Sequence, residues 1–216
     1  MWRFFCSVCF SGKSTIARAL VRLIPSSGKV LLNDRDFLSL SGAELLKARA
    51  QIQMVFQDAS SSLNPRMTVG DLVAEGWKLH NQGNATEAVE KVLKAVGLRP
   101  DMVGRYPHEL SGGQKTRVAL ARVLILKPSI LILDEVTSSL DVETQNQLMT
   151  LLIDLQKNYG LSYLFISHDM KAVRRMSDEV MIMKQARIVE KGLADNVFLT
   201  PKHPYTKQLL QDSFML

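Results

Sequence analysis

At 216 residues, with 46% hydrophobic and 22% charged side chains, the chain has the size and balance of one folded domain, or of one domain carrying an insertion. No apolar run reaches the length of a membrane span, and the nearest, 118–126, is interrupted by Arg122, so work at a membrane requires docking onto other subunits. The net charge of +6 comes mostly from residues 1–35, where Arg3, Lys13, Arg18, Arg22, Lys29 and Arg35 face one acid, Asp34. That excess suits a phosphate-binding end, and without a zinc-finger, helix-turn-helix or RNA-binding signature it gives little support to nucleic-acid binding.

In chain order, residues 4–6 read as the end of a strand leading into Ser11-Gly12-Lys13-Ser14-Thr15, the second half of a Walker A phosphate loop. In such a loop Lys13 reaches the β- and γ-phosphates and Ser14 ligates Mg²⁺. Thr15 and the first N–H groups of the next helix hold the remaining oxygens. Ile16, Leu20, Leu23 and Ile24 share one face of that helix, and Pro25 stops it. The first half of the loop departs from the pattern, with Ser7 where the motif has glycine. Cys6 and Cys9 have Cys-x-x-Cys spacing, but no second Cys pair or paired His accompanies them, so a metal or redox role has little support.

Residues 28–32 read as a strand followed by a turn at Asn33-Asp34, and 43–50 as a short helix. Over 51–56, Ile52, Met54 and Phe56 alternate with Gln51 and Gln53, which predicts a strand with Gln57 at its end. A Ser/Asn/Pro loop follows at 59–65, then helical patterns over 69–80 and 86–96, the second with Asn84 and Glu87 at capping-box spacing and Gly97 as its stop. After a polar stretch at 99–109, this block inserted between strands forms a candidate helical subdomain, 60–117, with the core made by 1–59 and 118–216.

The far end of that block reads Leu110-Ser111-Gly112-Gly113-Gln114. Ser111 and Gln114 have capping-box spacing, and the two glycines let free backbone N–H groups approach an anion. The helix continues through 118–126 and Lys127-Pro128 breaks it. Ile130-Leu131-Ile132-Leu133 then predicts a strand buried on both faces of a parallel sheet, with Asp134 and Glu135 at its carboxyl end, where open α/β sheets place their ligands. One carboxylate can hold Mg²⁺ while the other polarises an attacking water. Asp141 caps a long helix to Tyr159 with Leu148, Leu152 and Leu155 on its buried side and Gly160 at its end. A strand at 161–166 delivers Ser167-His168-Asp169 to the same sheet edge as Asp134, and 180–183 with 188–190 form a closing hairpin.

Together, residues 110–114, 133–135 and 139–141 resemble the signature, Walker B and D-loop of ABC-type ATPases, and the likeness extends over 11–216. Within that family the chain resembles the peptide/nickel import group. The residues that carry this are Val55-Phe56-Gln57-Asp58, Ser62-Leu63-Asn64-Pro65-Arg66, Tyr106-Pro107 and His203-Pro204-Tyr205-Thr206. The resemblance implies an α/β P-loop NTPase (RecA-like) parallel-sheet core with the helical subdomain inserted, and an N-terminally truncated member whose N-terminal β-subdomain is largely missing. It implies ATP and Mg²⁺ as cofactors. Two subunits, identical or different, would face head to tail, with each ATP held by Ser11, Gly12, Lys13, Ser14, Thr15, Gln57, Asp134, Glu135 and His168 of one and by Ser111, Gly112, Gly113 and Gln114 of the other. Glu135 would be the general base, His168 a donor to the γ-phosphate, Gln57 a contact to Mg²⁺ and water, Asp134 and Ser14 metal ligands, and Asp141 a link between the two sites.

The implied partners are transmembrane permease subunits and, indirectly, a solute-binding protein, at the cytoplasmic face of the inner membrane, with no nucleic acid. The chain departs from the family pattern at Ser7, at Phe10 (where a second loop glycine is usual), at Ala59 and at Val136, both in the place of proline. Two alternatives stand beside the importer reading. One is a truncated or degenerate subunit with impaired ATP binding; the other is a soluble DNA-associated ABC ATPase.

Overall fold

The computed structural model describes residues 3–7 (as backbone), 12–58, 62–80 and 83–214. Strands β1 (Arg3–Ser7), β4 (Ile52–Val55), β5 (Ile130–Asp134), β6 (Ser162–Ser167), β7 (Glu179–Lys184) and β8 (Arg187–Leu193) form one sheet in the order β4-β5-β6-β1-β7-β8. The first five in that order run parallel, and β8 closes the edge antiparallel to β7. A separate two-stranded ribbon pairs β2 (Leu31–Leu32) with β3 (Arg35–Asp36). Parallel strands need crossovers: α6 (Val142–Tyr159) lies on the one from β5 to its neighbour β6, and α7 (Met170–Met176) on the one from β6 past β1 to β7. Chain order reverses about β1, which lies between β6 and β7; open α/β sheets leave a ligand crevice at such a switch point.

The apolar run of β5 is explained by two covered faces: Leu131, Ile132 and Leu133 are all buried. On one face Ile132 and Ile166 pack with Ala17 of α1 (Lys13–Leu20), Val21 just after it, Phe37 after β3, Ala48 of α2 (Gly42–Gln51) and Ile52 of β4. On the other, Leu131, Leu133, Tyr163 and Phe165 meet Leu148, Leu152 and Leu155 of α6, the three positions expected to face inward. The Tyr163 hydroxyl satisfies its buried polar end by donating to the Leu152 carbonyl at 2.8 Å. Asp141 and a left-handed Gly160 bound α6 as its sequence predicts.

The inserted block consists of α3 (Val69–His80), α4 (Ala85–Ala95), two 3₁₀ turns (Pro100–Gly104 and Pro107–Glu109) and α5 (Gly112–Leu124). Asn84 caps α4 by accepting the Thr86 N–H at 2.9 Å. Gly97 ends it at φ +70, with the Arg117 guanidinium occupying the place a Cβ would take and donating to the Val96 carbonyl at 3.0 Å. Arg122, farther along α5, donates to the Ser62 carbonyl at 2.8 Å and to Glu75 of α3 at 3.0 Å. These two arginines fasten α5 to its neighbours. Because α5 is continuous, the subdomain edge read at 117 falls inside a helix.

Several boundaries differ from the sequence reading. The first helix stops at Leu20, short of Pro25: Arg22 turns left-handed at φ 56 and its guanidinium donates to the Leu40 carbonyl at 2.6 Å, leaving Leu23 exposed. The strand expected over 28–32 shrinks to Leu31–Leu32. Gln51 belongs to α2, and Phe56 lies beyond β4. The sequence pattern also missed α7, α8 (Ala194–Leu199) and α9 (Pro204–Phe214), which are short or polar. The His203-Pro204-Tyr205-Thr206 segment opens α9. It is moored by Glu190 of β8, whose carboxylate accepts the N–H groups of Lys202 and His203 at 2.8 and 3.0 Å, and by Lys184 lying 4.4 Å over the Tyr205 ring.

Candidate nucleotide site

Six of the residues singled out in the sequence meet at the carboxyl edge of the sheet. Gly12 is the N-cap of α1 at φ 79, a left-handed conformation that costs a side-chain-bearing residue about 1 kcal/mol. It opens α1, and Lys13, the next residue, is buried, with only 6% exposed. Ser14 donates its hydroxyl to Asp134 Oδ1 at 2.9 Å. Asp134 is 1% exposed, and burial pushes its carboxyl above the usual range; Ser14 opposes the rise, Glu135 adds to it, and Arg18 and Lys13 oppose it weakly.

Glu135 is the hub. Gln57 Nε2 donates to its Oε2 at 2.9 Å, His168 Nδ1 lies 3.4 Å from the same oxygen, and Lys13 Nζ lies 3.8 Å from Oε1. Its backbone is left-handed at φ 49, a conformation an acidic residue adopts only when its surroundings enforce it. Here the Glu135 N–H donates to the Ile166 carbonyl at 2.8 Å, while the Ser138 N–H and hydroxyl hold the Glu135 carbonyl at 3.1 and 2.9 Å. The left-handed residue follows the end of β5, and its carboxylate meets Gln57, His168 and Lys13 there. Thr15 lies exposed on α1, and Ser11, Phe10 and Cys9 fall outside the described residues.

Ser111, Gln114 and Asp141 form a second group at the N-termini of α5 and α6. Ser111 and Gln114 make the reciprocal capping box, with the Gln114 N–H donating to Ser111 Oγ at 3.3 Å and the Ser111 N–H to Gln114 Oε1 at 3.0 Å. Asp141 accepts the Thr144 N–H at 2.9 Å and the Thr144 hydroxyl at 2.7 Å, and those bonds, the amide first, hold its carboxyl below the usual range. The first turn of α6 also reaches toward the first group: Gln145 Nε2 donates to Asp169, the sequence neighbour of His168, at 2.9 Å. Sequence reasoning passed over Thr144 and Gln145, and placed Asp169 at the sheet edge without giving it a partner. The Asp141-x-x-Thr144 spacing was the available signal for Thr144, whereas the pairing of Gln145 with Asp169 spans 24 residues and has none.

The donors suit a nucleotide with a hard divalent cation. A serine hydroxyl and a buried carboxylate at 2.9 Å, with a glutamine amide nearby, are oxygen ligands of the kind Mg²⁺ takes. Among the described residues there is no group of three or more His, Cys, Asp or Glu that could hold a metal ion. Among them, too, no helix is long and apolar enough to cross a membrane.

Comparison with known proteins agrees with this geometry. The family model described as ABC transporter matches residues 11–138. The chain is 48% identical over 204 residues to the uncharacterized ABC transporter ATP-binding protein YejF of Escherichia coli K12, covering 93% of this chain and 39% of that protein. It is 47% identical over 204 residues to the glutathione import ATP-binding protein GsiA of Salmonella paratyphi A, covering 93% of this chain and 33% of GsiA. The chain therefore spans between a third and two-fifths of the length of these curated relatives. Among solved structures, cbiO1 from Clostridium perfringens, part of the ABC transporter complex cbiONQ, superposes with a TM-score of 0.82 at 31% identity, over 92% of this chain and 80% of that one. The dimeric post-hydrolysis ATP-binding cassette MJ0796, bound to ADP and Pi, gives 0.78 at 27% identity, over 89% and 85%. With the P-loop NTPase fold, the gathered Walker residues and a matching model over more than half its length, the chain belongs to the ABC transporter family.

Proposed function

We propose that the chain is the ATP-binding and ATP-hydrolysing part of an ABC importer for peptides, driving solute movement through separate permease subunits. The observation that carries this reading is the convergence of Lys13, Gln57 and His168 on Glu135, next to the Ser14–Asp134 pair. The core of 1–59 and 118–216 would hold the phosphates, and the helical block of 60–117 would carry the signature. Bound Mg²⁺ would offset phosphate charge, held by Ser14 and Asp134 with Gln57 close by. Lys13 and the N–H groups opening α1 would bind the β- and γ-phosphates, and Ser11, Gly12 and Thr15 would complete the cradle.

Glu135 would take the proton of the attacking water at its carboxylate, Gln57 would orient that water, and His168 would donate to the γ-phosphate. Ser111, Gly112, Gly113 and Gln114, with Asp141, would meet the nucleotide of a second subunit, identical or different. The importer relatives by name favour this over a degenerate subunit or a DNA-associated ATPase.

A permease would dock where β4 ends. A cavity of about 530 Å³ there is lined by Phe56, Leu72, Leu79 and Leu126, together with Arg122 and Glu75. Phe56 and Leu79 are 36% and 66% exposed, an apolar seat next to Gln57 that suits a short helix of a membrane subunit. The complex would sit peripherally at the cytoplasmic face of the membrane, with a solute-binding protein acting through the permease.

Equilibrium binding and turnover test the nucleotide reading. The Glu135→Gln chain should bind Mg²⁺-ATP while losing turnover by about 10²–10⁴-fold. Lys13→Ala should abolish binding. Binding that survives Lys13→Ala would remove the assignment of residues 11–15.

A further inference from the structure

The first turn of α6 touches both halves of the site. Asp141 accepts two bonds from one residue, Thr144: the backbone N–H at 2.9 Å and the hydroxyl at 2.7 Å. With the hydroxyl tied to Asp141, the Thr144 γ-methyl has a fixed direction. It points at Gly113, where a Cβ built on the glycine would lie 2.6 Å from Thr144 Cγ2, closer than real Cβ contacts come. Gly112 faces Leu140, the residue before Asp141, with 4.0 Å between its Cβ position and Leu140 Cδ2. Gly113 therefore lacks a side chain for a packing reason as well as for access by an anion: the space is taken by Thr144.

We infer that Thr144 is a positioning residue that locks the N-terminus of α5 to Asp141, so that the signature glycines and the Asp141 loop move as one unit. The role rests on the nucleotide reading above, in which that unit grips the nucleotide of a second subunit. Each end of the lock has its own chemistry. The hydroxyl holds Asp141 and the methyl holds Gly113. Gln145, the next residue, donates to Asp169, the sequence neighbour of His168, whose Nδ1 lies 3.4 Å from Glu135 Oε2.

The two ends separate by mutation. Thr144→Ser keeps the hydroxyl and deletes the methyl; Thr144→Val keeps the methyl and replaces the hydroxyl with a second methyl. Gly113→Ala drives a Cβ into the methyl and should lower Tm by about 3–8 °C, with kcat falling about tenfold. Adding Thr144→Ser opens the space, so the double variant should recover roughly half or more of both losses, an interaction between neighbours that a double-mutant cycle detects. Gly113→Ala with Thr144→Val should show no recovery. Thr144→Val alone should lower kcat about tenfold while the Kd for Mg²⁺-ATP changes by less than about twofold, because the nucleotide held through Lys13 does not touch this turn.

Additive effects of Gly113→Ala and Thr144→Ser overturn the lock. So does a recovery seen in Tm with kcat indifferent to Thr144→Val, which would leave only ordinary packing. A wild-type chain that binds no Mg²⁺-ATP sinks the nucleotide reading instead, and the Tm cycle judges the Thr144–Gly113 contact with or without nucleotide.

Discussion

Deleting one hydroxyl at Ser14 should destabilise the nucleotide-free chain in a pH-dependent way. Asp134 is 1% exposed, and Ser14 donates to its Oδ1 at 2.9 Å. Burial raises the pKa of this carboxyl and Ser14 is the main influence holding it down. Removing a hydrogen bond to a buried charged group costs about 1.5–3 kcal/mol. For a chain of this size that corresponds to a fall in Tm of about 6 °C at neutral pH. The sign with pH follows from the folded state alone, because the unfolded pKa is common to both chains. Without Ser14 the folded carboxyl is raised further, so the penalty is full above that raised value, where Asp134 is ionised. It shrinks as pH falls through it, down to the smaller worth of a bond to the neutral acid. Thermal unfolding of wild type and Ser14→Ala without nucleotide, followed from neutral pH down through the titration of the raised carboxyl, reads this directly. A Tm difference that stays constant, or grows on acidification, would refute the reasoning.

Gly97→Ala should cost about 2–4 kcal/mol, combining about 1 kcal/mol for a left-handed alanine with loss of the Arg117 bond to the Val96 carbonyl. Chemical denaturation measures it, and the cost should drop when Arg117→Ala is already present. Arg122→Ala removes the bonds to Ser62 and Glu75, so limited proteolysis should cut near Ser62 faster while circular dichroism stays close to wild type. Ser111→Ala should lower Tm modestly, by the equivalent of about 1 kcal/mol for a lost cap. It should also weaken ATP-driven association of two subunits in analytical ultracentrifugation.

Much of the site was legible because it is built from local patterns. Ser111 with Gln114, Asp141 at the head of α6, and the apolar run before Asp134-Glu135 each act within a few residues, so spacing alone places them on a helix start or a strand end. The misreadings share the opposite cause. Leu23 and Ile24 continue the periodicity of α1, yet the helix ends at Leu20, because Arg22 finds carbonyls at Phe37 and Leu40 in a loop that no local rule brings near. In α9, with only Thr206 and Leu210 buried, periodicity is faint; its anchor is Glu190 on another strand.

The sequence by itself determined the family and the order of the core strands, and it marked the residues expected to face phosphate, because these are written in short motifs whose chemistry is local. Only the tertiary structure decided what those residues do to one another. It sets Lys13, Gln57 and His168 around one carboxylate, buries Asp134 until its pKa rises, and turns the Thr144 methyl onto Gly113. The physical reason is that β1, β5 and β6 become neighbours through sheet pairing, and α5 and α6 through packing. Burial, electrostatics and contact distances arise from that juxtaposition, which spacing along the chain does not encode.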